Sequence, residues 1–221
     1  MASQRKIPVV DISAAIQEAT SAQGQNTMEN FHKICQHLGA VTIKGHGIPQ
    51  ELLSEAFSWS TKLYDLPHEH KMKAPHPKGP IPHRGYSHPG FEKVYSKADL
   101  YDDEVMNSGG QSLRKIMDFK ESYEIGSEDN LSQPNIWLPE ETLPGFRDFM
   151  IRFYWVLNRT AREILEALCH SLGLTQAEQD NILQLHSGHN NQLRLLHYPP
   201  TPAEQLEAQV LARMPAHTDF R

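Results

Sequence analysis

An apolar stripe between Gly145 and Gly173 constrains the fold of this chain more than any other feature of its sequence. In this segment apolar residues recur every three or four positions, the spacing that puts them on one side of an α-helix. The stripe comprises Phe149, Met150, Phe153, Val156, Leu157, Ala161, Ile164, Leu165, Leu168 and Leu172. We therefore expect one long helix whose apolar side packs against the protein core.

The first 70 residues predict alternating strands and helices. Residues 7–12 form a short β-branched run with a proline near its start, which is typical of an edge strand or a first strand. A helix is expected over residues 27–38, with Gly39 at its C-terminal end, followed by a strand over residues 40–43. A second amphipathic helix then ends before Pro67. This order indicates a small α/β layer.

The rest of the chain predicts a mixture of loop, strand and helix. Residues 68–110 are rich in Pro, Gly, His and Lys, so we expect a surface loop there, with at most one short helical piece. Strands are expected within residues 113–125 and 193–198 because apolar and β-favouring side chains recur in both segments. Helices are expected over residues 175–185, where Thr175 and Glu178 have the spacing of a capping box, and over residues 202–213.

Composition excludes several classes of protein. The 221 residues carry 27 acidic and 21 basic side chains, and this net charge of −6 argues against binding to nucleic-acid phosphates. No apolar run approaches the roughly 18–20 residues that span a bilayer, and the N-terminal residues lack the pattern of a signal peptide. Two cysteines are too few for a disulfide framework. We expect a cytoplasmic protein that binds neither nucleic acid nor membrane, and the composition leaves its oligomeric state open.

The motif with the clearest chemistry is His217-Thr218-Asp219. On a strand, residues two apart point to the same side, so this imidazole and this carboxylate would converge on one point. A neutral nitrogen ligand beside a hard oxygen ligand suits Fe(II), and the pair supplies two of the three ligands of a 2-His-1-carboxylate site. Patterns of three residues also arise by chance, so this motif depends on its context.

That context is a series of segments which resemble, in order, the non-haem iron, 2-oxoglutarate-dependent dioxygenase family, in the branch shared with isopenicillin N synthase. One of them is the strand and turn that ends in Gly45-His46-Gly47-Ile48-Pro49. The matching segments are residues 7–12, 39–49, 64–67 with Lys71, 84–86, 118–123, 135–139, 143–146, 193–200 and 217–219. Each segment is short, but together they cover the whole chain in the order of the family.

The resemblance implies an α+β fold. Residues 1–110 would form the N-terminal α/β region of the family. Residues 111–221 would form the first half of a double-stranded β-helix, or jelly roll, supported by the long helix after Gly145. The barrel would be incomplete, because only Phe220 and Arg221 follow Asp219. The distal histidine and the Arg-x-Ser motif of the family lie further downstream, so we expect this chain to be a C-terminally truncated member.

The resemblance also implies a site and a reaction. His217 and Asp219 would be Fe(II) ligands, Tyr198 would help to hold the co-substrate 2-oxoglutarate, and Arg84 and Tyr86 would border the substrate. With O2 as second co-substrate, and ascorbate present in assays, the family hydroxylates, desaturates or cyclises small organic molecules, here in secondary metabolism.

Three alternatives stay open at this point. The chain could be a catalytically inactive truncated paralogue or an interaction partner of another chain, because the missing ligands leave its own turnover in doubt. An oxidase that uses no 2-oxoglutarate would share the same motifs. A zinc hydrolase built on His217 and Asp219 would need a third ligand that the sequence does not offer at helical spacing.

Overall fold

A computed structural model describes residues 6–77, 84–91, 117–186, 191–208 and 211–213. Its contacts divide the chain into two compact units that interleave along the sequence. The first unit comprises Met1–Trp59, Ser127–Asn130 and Asp148–Asn191, and the second comprises Ser60–Gly126, Leu131–Arg147 and Gln192–Arg221.

The first unit contains a parallel strand pair and its helices. Strand β1 (Val9–Asp11) pairs with β2 (Thr42–Lys44), and helices α1 (Ser13–Gln17) and α2 (Ala22–Leu38) connect them. Both predicted strands and the predicted helix are confirmed. Helix α2 begins earlier than its apolar periodicity indicates, because the hydroxyl of Ser21 accepts a hydrogen bond from the Gly24 amide at 3.0 Å and caps a polar first turn.

The long helix predicted from the apolar stripe is confirmed as α5 (Phe146–Ser171). In the first unit Ala167 of this helix is buried together with Val10, Ile12, Ala15 and Met28, which form the core beneath β1 and α2. Helix α6 (Gln176–Leu185) follows and begins with the predicted capping box. The Thr175 hydroxyl accepts from the Glu178 amide, and the Glu178 carboxylate accepts from the Thr175 amide at 2.8 Å.

The second unit is built around an antiparallel sheet. Strands β3 (Gly85–Ser87), β5 (Glu121–Gly126) and β6 (Gln192–His197) lie in the order β3-β5-β6. A second, parallel pair joins β4 (Met117–Asp118) to β7 (Leu211–Ala212).

Helices flank these strands in the sequence. Helix α3 (Gln50–Tyr64) ends shortly before α4 (His68–Lys71), and α7 (Ala203–Glu207) lies between β6 and β7. The helix predicted before Pro67 is thereby confirmed. Among the described residues, no helix combines the length and apolar character that crossing a bilayer would need.

The short helical piece expected within residues 68–110 is α4, but the expectation of a surface loop is wrong around β3. All three residues of β3 are buried, as are His76 and Arg84, and Pro75 forms a β-bridge with Tyr86. The backbone groups of β3 are paired by β5, which lies more than 30 residues later, and composition gives no sign of such a distant partner. Residues 78–83 and 92–116 lie outside the described residues.

The strand expected within residues 113–125 is two strands, β4 and β5. The chain changes partner between them, because the Phe119 amide donates to the Ala212 carbonyl at 2.8 Å while β5 pairs with β6. The helix expected over residues 202–213 is likewise shorter, since α7 ends at Glu207 and the short strand β7 begins at Leu211. The strand expected over residues 193–198 is confirmed as β6.

Candidate functional site

The three-stranded sheet of the second unit carries polar side chains on both of its faces. Its register aligns Tyr86, Tyr123 and Leu195 on one face, because side chains directly opposite one another in an antiparallel sheet share a face. The same register aligns Ser87, Ser122 and Leu196 on the other face. We call the first the tyrosine face and the second the serine face.

The tyrosine face carries a buried hydrogen-bond network centred on Glu121. One carboxylate oxygen, Oε2, accepts from Lys71 Nζ at 2.7 Å and from the Tyr86 hydroxyl at 2.5 Å. The other, Oε1, lies 2.7 Å from Nδ1 of His197, and the His197 ring stacks on Tyr64 with ring centroids 5.1 Å apart. Charged groups this deeply buried are stable only when they are paired in this way.

The electrostatics of the network keep Glu121 ionised. Burial alone would raise its pKa, but the hydrogen bonds from Lys71, Tyr86 and His197 outweigh that effect and hold the pKa below the ordinary value. Burial and the adjacent Glu121 carboxylate raise the pKa of the Tyr86 hydroxyl, and burial does the same for the pKa of Tyr64. Both phenols therefore stay protonated, and the Tyr86 hydroxyl donates to Glu121.

The serine face carries a second polar cluster. The Ser122 hydroxyl donates to Glu124 Oε1 at 2.7 Å, and Nε of Arg194 lies 3.0 Å from the same oxygen. The Glu124 side chain is fully buried, whereas 31% of the Arg194 side chain is exposed. Ser87 is also buried on this face, and its hydroxyl has no hydrogen-bond partner among the described residues.

The structure describes the predicted co-substrate residue but not the predicted iron ligands. His217 and Asp219 lie outside the described residues, so their geometry stays a prediction. Tyr198 is half-buried and directly follows the last residue of β6.

The two residues predicted to border the substrate are both buried in the second unit. Arg84 donates from Nε to the Gln133 carbonyl at 3.3 Å, and its guanidinium lies so close to Gly126 that a Cβ there would collide with it. Tyr86 lies on the tyrosine face, where its hydroxyl bonds to Glu121. These contacts give both residues a role in holding the sheet, and their contact with substrate stays a prediction.

The sequence alone does not single out the residues of the two clusters as functional candidates. It places Lys71, Glu121, Arg194 and His197 within family segments and Glu124 within a predicted strand, but gives none of them a role. The sequence does contain one sign of these residues, because charged residues are rare in the middle of an apolar strand unless they are paired. Nothing local to the sequence says which charge pairs with which, since the partners are up to 76 residues apart.

No group of three or more His, Cys, Asp and Glu side chains is arranged to hold a metal ion within the part of the chain that the structure describes. Glu121 and His197 are in contact, but the Lys71 ammonium also bonds to Glu121 and already supplies the positive charge that a metal ion would bring.

More than half of the chain matches the sequence model of a known protein family. The family model described as "non-haem dioxygenase in morphine synthesis N-terminal" matches residues 7–140. This stretch covers the first unit's strands as well as β3, β4 and β5 of the second.

Curated fungal proteins are similar over almost the whole chain. The 2-oxoglutarate-dependent dioxygenase frbA of Dothideomycetidae sp. (strain 11243) is 35% identical over 90% of this chain and 56% of its own length. The proline hydroxylase buaE of Petromyces alliaceus is 33% identical over 96% of this chain and 60% of its own. The chain thus spans less than two thirds of the length of these relatives.

A solved structure shares the fold. A full-length Neurospora crassa protein, crystallised in complex with alpha-KG and thymine, superposes with a TM-score of 0.70 and 29% identity, over 91% of this chain and 58% of that one. Because the family model matches more than half of its residues, the chain belongs to the non-haem, Fe(II)- and 2-oxoglutarate-dependent dioxygenase family.

Proposed function

We propose that this chain supplies the substrate-binding sheet and two iron ligands of an Fe(II)/2-oxoglutarate-dependent dioxygenase that acts on a small organic molecule. The observation that carries the proposal is the His217-Thr218-Asp219 motif, which follows the strands of a chain that belongs to this family. The reaction would join one O2 atom to 2-oxoglutarate, giving succinate and CO2, and use the other to oxidise the substrate.

The donor set of the motif fits the metal. An imidazole nitrogen and a carboxylate oxygen suit Fe(II), and one intervening residue lets both converge from a strand. Bound iron would supply the redox chemistry, and the protein would contribute ligands, orientation and a site that excludes water.

Among the residues that the structure describes, Tyr198 is the one that we propose to bind 2-oxoglutarate. It directly follows β6, and Pro199 after it biases its backbone towards the extended conformation. Continuing the alternation of β6, Tyr198 would point to the same side as Leu196 and Arg194, which is the serine face. We therefore propose that the serine face lines the reaction pocket.

The proposed architecture is the first half of a jelly roll, which would begin near residue 111 after an N-terminal region of residues 1–110. The antiparallel order β3-β5-β6 supports a jelly-roll sheet. The boundary itself lies outside the described residues.

Proline is the first substrate to test, in a setting of secondary metabolism. The similarity to the proline hydroxylase of Petromyces alliaceus supports a cyclic amino acid, and the thymine complex of the Neurospora crassa protein makes a pyrimidine the natural comparison.

Succinate formation tests the proposal. The purified chain, supplied with Fe(II), ascorbate, O2 and 2-oxoglutarate, is expected to form succinate, and H217A is expected to lose that activity. Succinate formation that H217A leaves unchanged would refute the site. A folded wild-type chain that binds no Fe(II) and forms no succinate would instead support the inactive paralogue.

A further inference from the structure

We propose that the chain forms a two-fold symmetric dimer, in which the free edge of β1 pairs antiparallel with β1 of a second copy. The surface lies in the first unit, on β1 and α2, and the proposed iron ligands take no part in it. The inference therefore goes beyond the proposed function, and it is tested without Fe(II) or 2-oxoglutarate.

Strand β1 directs one row of backbone groups away from β2. The Ile12 amide, directly after β1, donates to the Lys44 carbonyl of β2 at 2.9 Å. Because the backbone groups of neighbouring residues point to opposite edges of a strand, the amides and carbonyls of Val9 and Asp11 point away from β2. Among the described strands, β1 pairs with β2 alone. Such an edge is a template for a further strand.

The residues of β1 suit pairing with an identical strand. Val9 has both its amide and its carbonyl on the free edge, so Val9 of two copies can exchange two hydrogen bonds across a two-fold axis. Ile7 then lies opposite Asp11 of the second copy, and the two Asp11 carboxylates do not face each other. In the single chain Val9 is 61% exposed and Ile7 is 57% exposed, so this pairing would also cover apolar surface.

A row of uncharged polar side chains on α2 lies beside the same edge. Gln23, Asn26, Thr27 and Asn30 are three or four residues apart, which places them on one side of the helix. Together with β1 they line a groove of about 530 Å³. Carboxamide and hydroxyl groups both donate and accept hydrogen bonds, so two copies of this row can bond to each other across a two-fold axis.

The dimensions of a joined sheet fit a contact between the helices. Helix α2 covers both strands, because Met28 of α2 and Val10 of β1 are buried in one core, against which Ile43 of β2 packs. Neighbouring strands lie about 4.8 Å apart, so the centres of two β1–β2 pairs in one continuous sheet would be about 9.6 Å apart. Packed helices lie about 8–10 Å apart, so the two copies of α2 would touch.

The charge of this surface favours a second copy as its partner. The chain has a net charge of −6, so two copies repel each other unless the surface that joins them is close to neutral. Among the described residues that line the groove, Asp11 alone is charged, and its carboxylate lies 3.5 Å from Nζ of Lys44. The joined surface would therefore bring little uncompensated charge together.

Sedimentation of the full chain in an analytical ultracentrifuge tests the inference. Wild type is expected to shift from monomer to dimer between about 1 μM and about 1 mM, the range of moderate to weak association. Asn26→Lys and Asn26→Glu each bring like charges together across the two-fold axis, so each is expected to weaken the dimer at least about tenfold. Val9→Lys places two ammonium groups directly opposite each other on the strand edge and should have the same effect.

Mixing the variants separates a lost contact from a damaged fold. An equimolar mixture of Asn26→Lys and Asn26→Glu brings opposite charges together, so it is expected to regain association as a heterodimer. A helix that the substitutions had unfolded would not recover on mixing. Gln25→Lys is the matched control, because it adds the same charge at an exposed position of α2 outside the groove, and it should dimerise like wild type.

Three results would overturn the inference. They are a wild type that stays monomeric at about 1 mM, a dimer that either Asn26→Lys or Val9→Lys leaves as stable as before, and a mixture of the two Asn26 variants that regains no association.

Discussion

At the scale of single residues, Glu121 is the centre of the buried hydrogen-bond network in the second unit. Its carboxylate joins three side chains from three different segments, Lys71, Tyr86 and His197. Removing one member of a buried ion pair leaves the other charge without compensation, so the cost of substitution greatly exceeds the value of an exposed pair.

Glu121→Gln is therefore expected to lower the free energy of unfolding at neutral pH by about 3 kcal/mol or more. The matched control is Glu166→Gln, which breaks the exposed pair with Arg162 and should cost less than about 1 kcal/mol. Urea unfolding followed by circular dichroism measures both. Equal losses in the two variants would contradict the role assigned to the network.

The Glu121 network also predicts a dependence on pH. Because hydrogen bonding holds the folded-state pKa of Glu121 below its ordinary value of 4.5, its stabilisation is fully present above that value. The stabilisation is lost as pH falls through the lowered pKa. The difference in unfolding free energy between wild type and Glu121→Gln should thus shrink in acid, and a difference that is constant or grows below pH 4.5 would count against the network.

At the scale of elements, local signals succeed where the partner of each residue lies nearby in the chain. The apolar stripe predicts helix α5, and the Thr175–Glu178 pair predicts the start of α6, because helix contacts are three or four residues apart. The sequence does not predict strand β3 or the break between β4 and β5, because the strands that pair with them lie far along the chain. The same reason hides the pairing of Glu121 with His197 and of Glu124 with Arg194.

Helix α2 offers a test of capping. Ser21→Ala removes the acceptor of the Gly24 amide and is expected to cost about 1 kcal/mol. Ser21→Asp keeps an acceptor at the same position and should retain most of the stability. Thermal unfolding of the three proteins compares them, and an alanine variant as stable as wild type would show that the cap contributes nothing.

Strand β5 offers a test of the position of Arg84. Gly126→Ala places a methyl group against the Arg84 guanidinium, so it is expected to destabilise the protein by about 1–3 kcal/mol. In an Arg84→Ala background the same change should cost much less, because the clash is gone. Unfolding free energies of the four proteins give the coupling, and strict additivity would mean that the two residues do not touch.

At the scale of the whole molecule, the family identity is accessible from sequence because it depends on the order of short motifs along the chain. The family model that matches residues 7–140 supports that interpretation. The grouping of side chains on one sheet face is less accessible from sequence, because it depends on how distant strands pair. Register settles that question for Arg194, Glu124 and Ser87, whereas the iron ligands lie beyond the described residues.

Anaerobic Fe(II) binding by the full chain, in the presence of 2-oxoglutarate, tests the central claim most directly. Wild type is expected to bind Fe(II), and H217A and D219A should each weaken that binding by at least about tenfold, since losing only a residue that orients a metal ligand already costs about that much. His37→Ala, which removes an exposed histidine of α2, should bind like wild type. Fe(II) affinity that is the same in H217A, D219A and wild type would contradict the account.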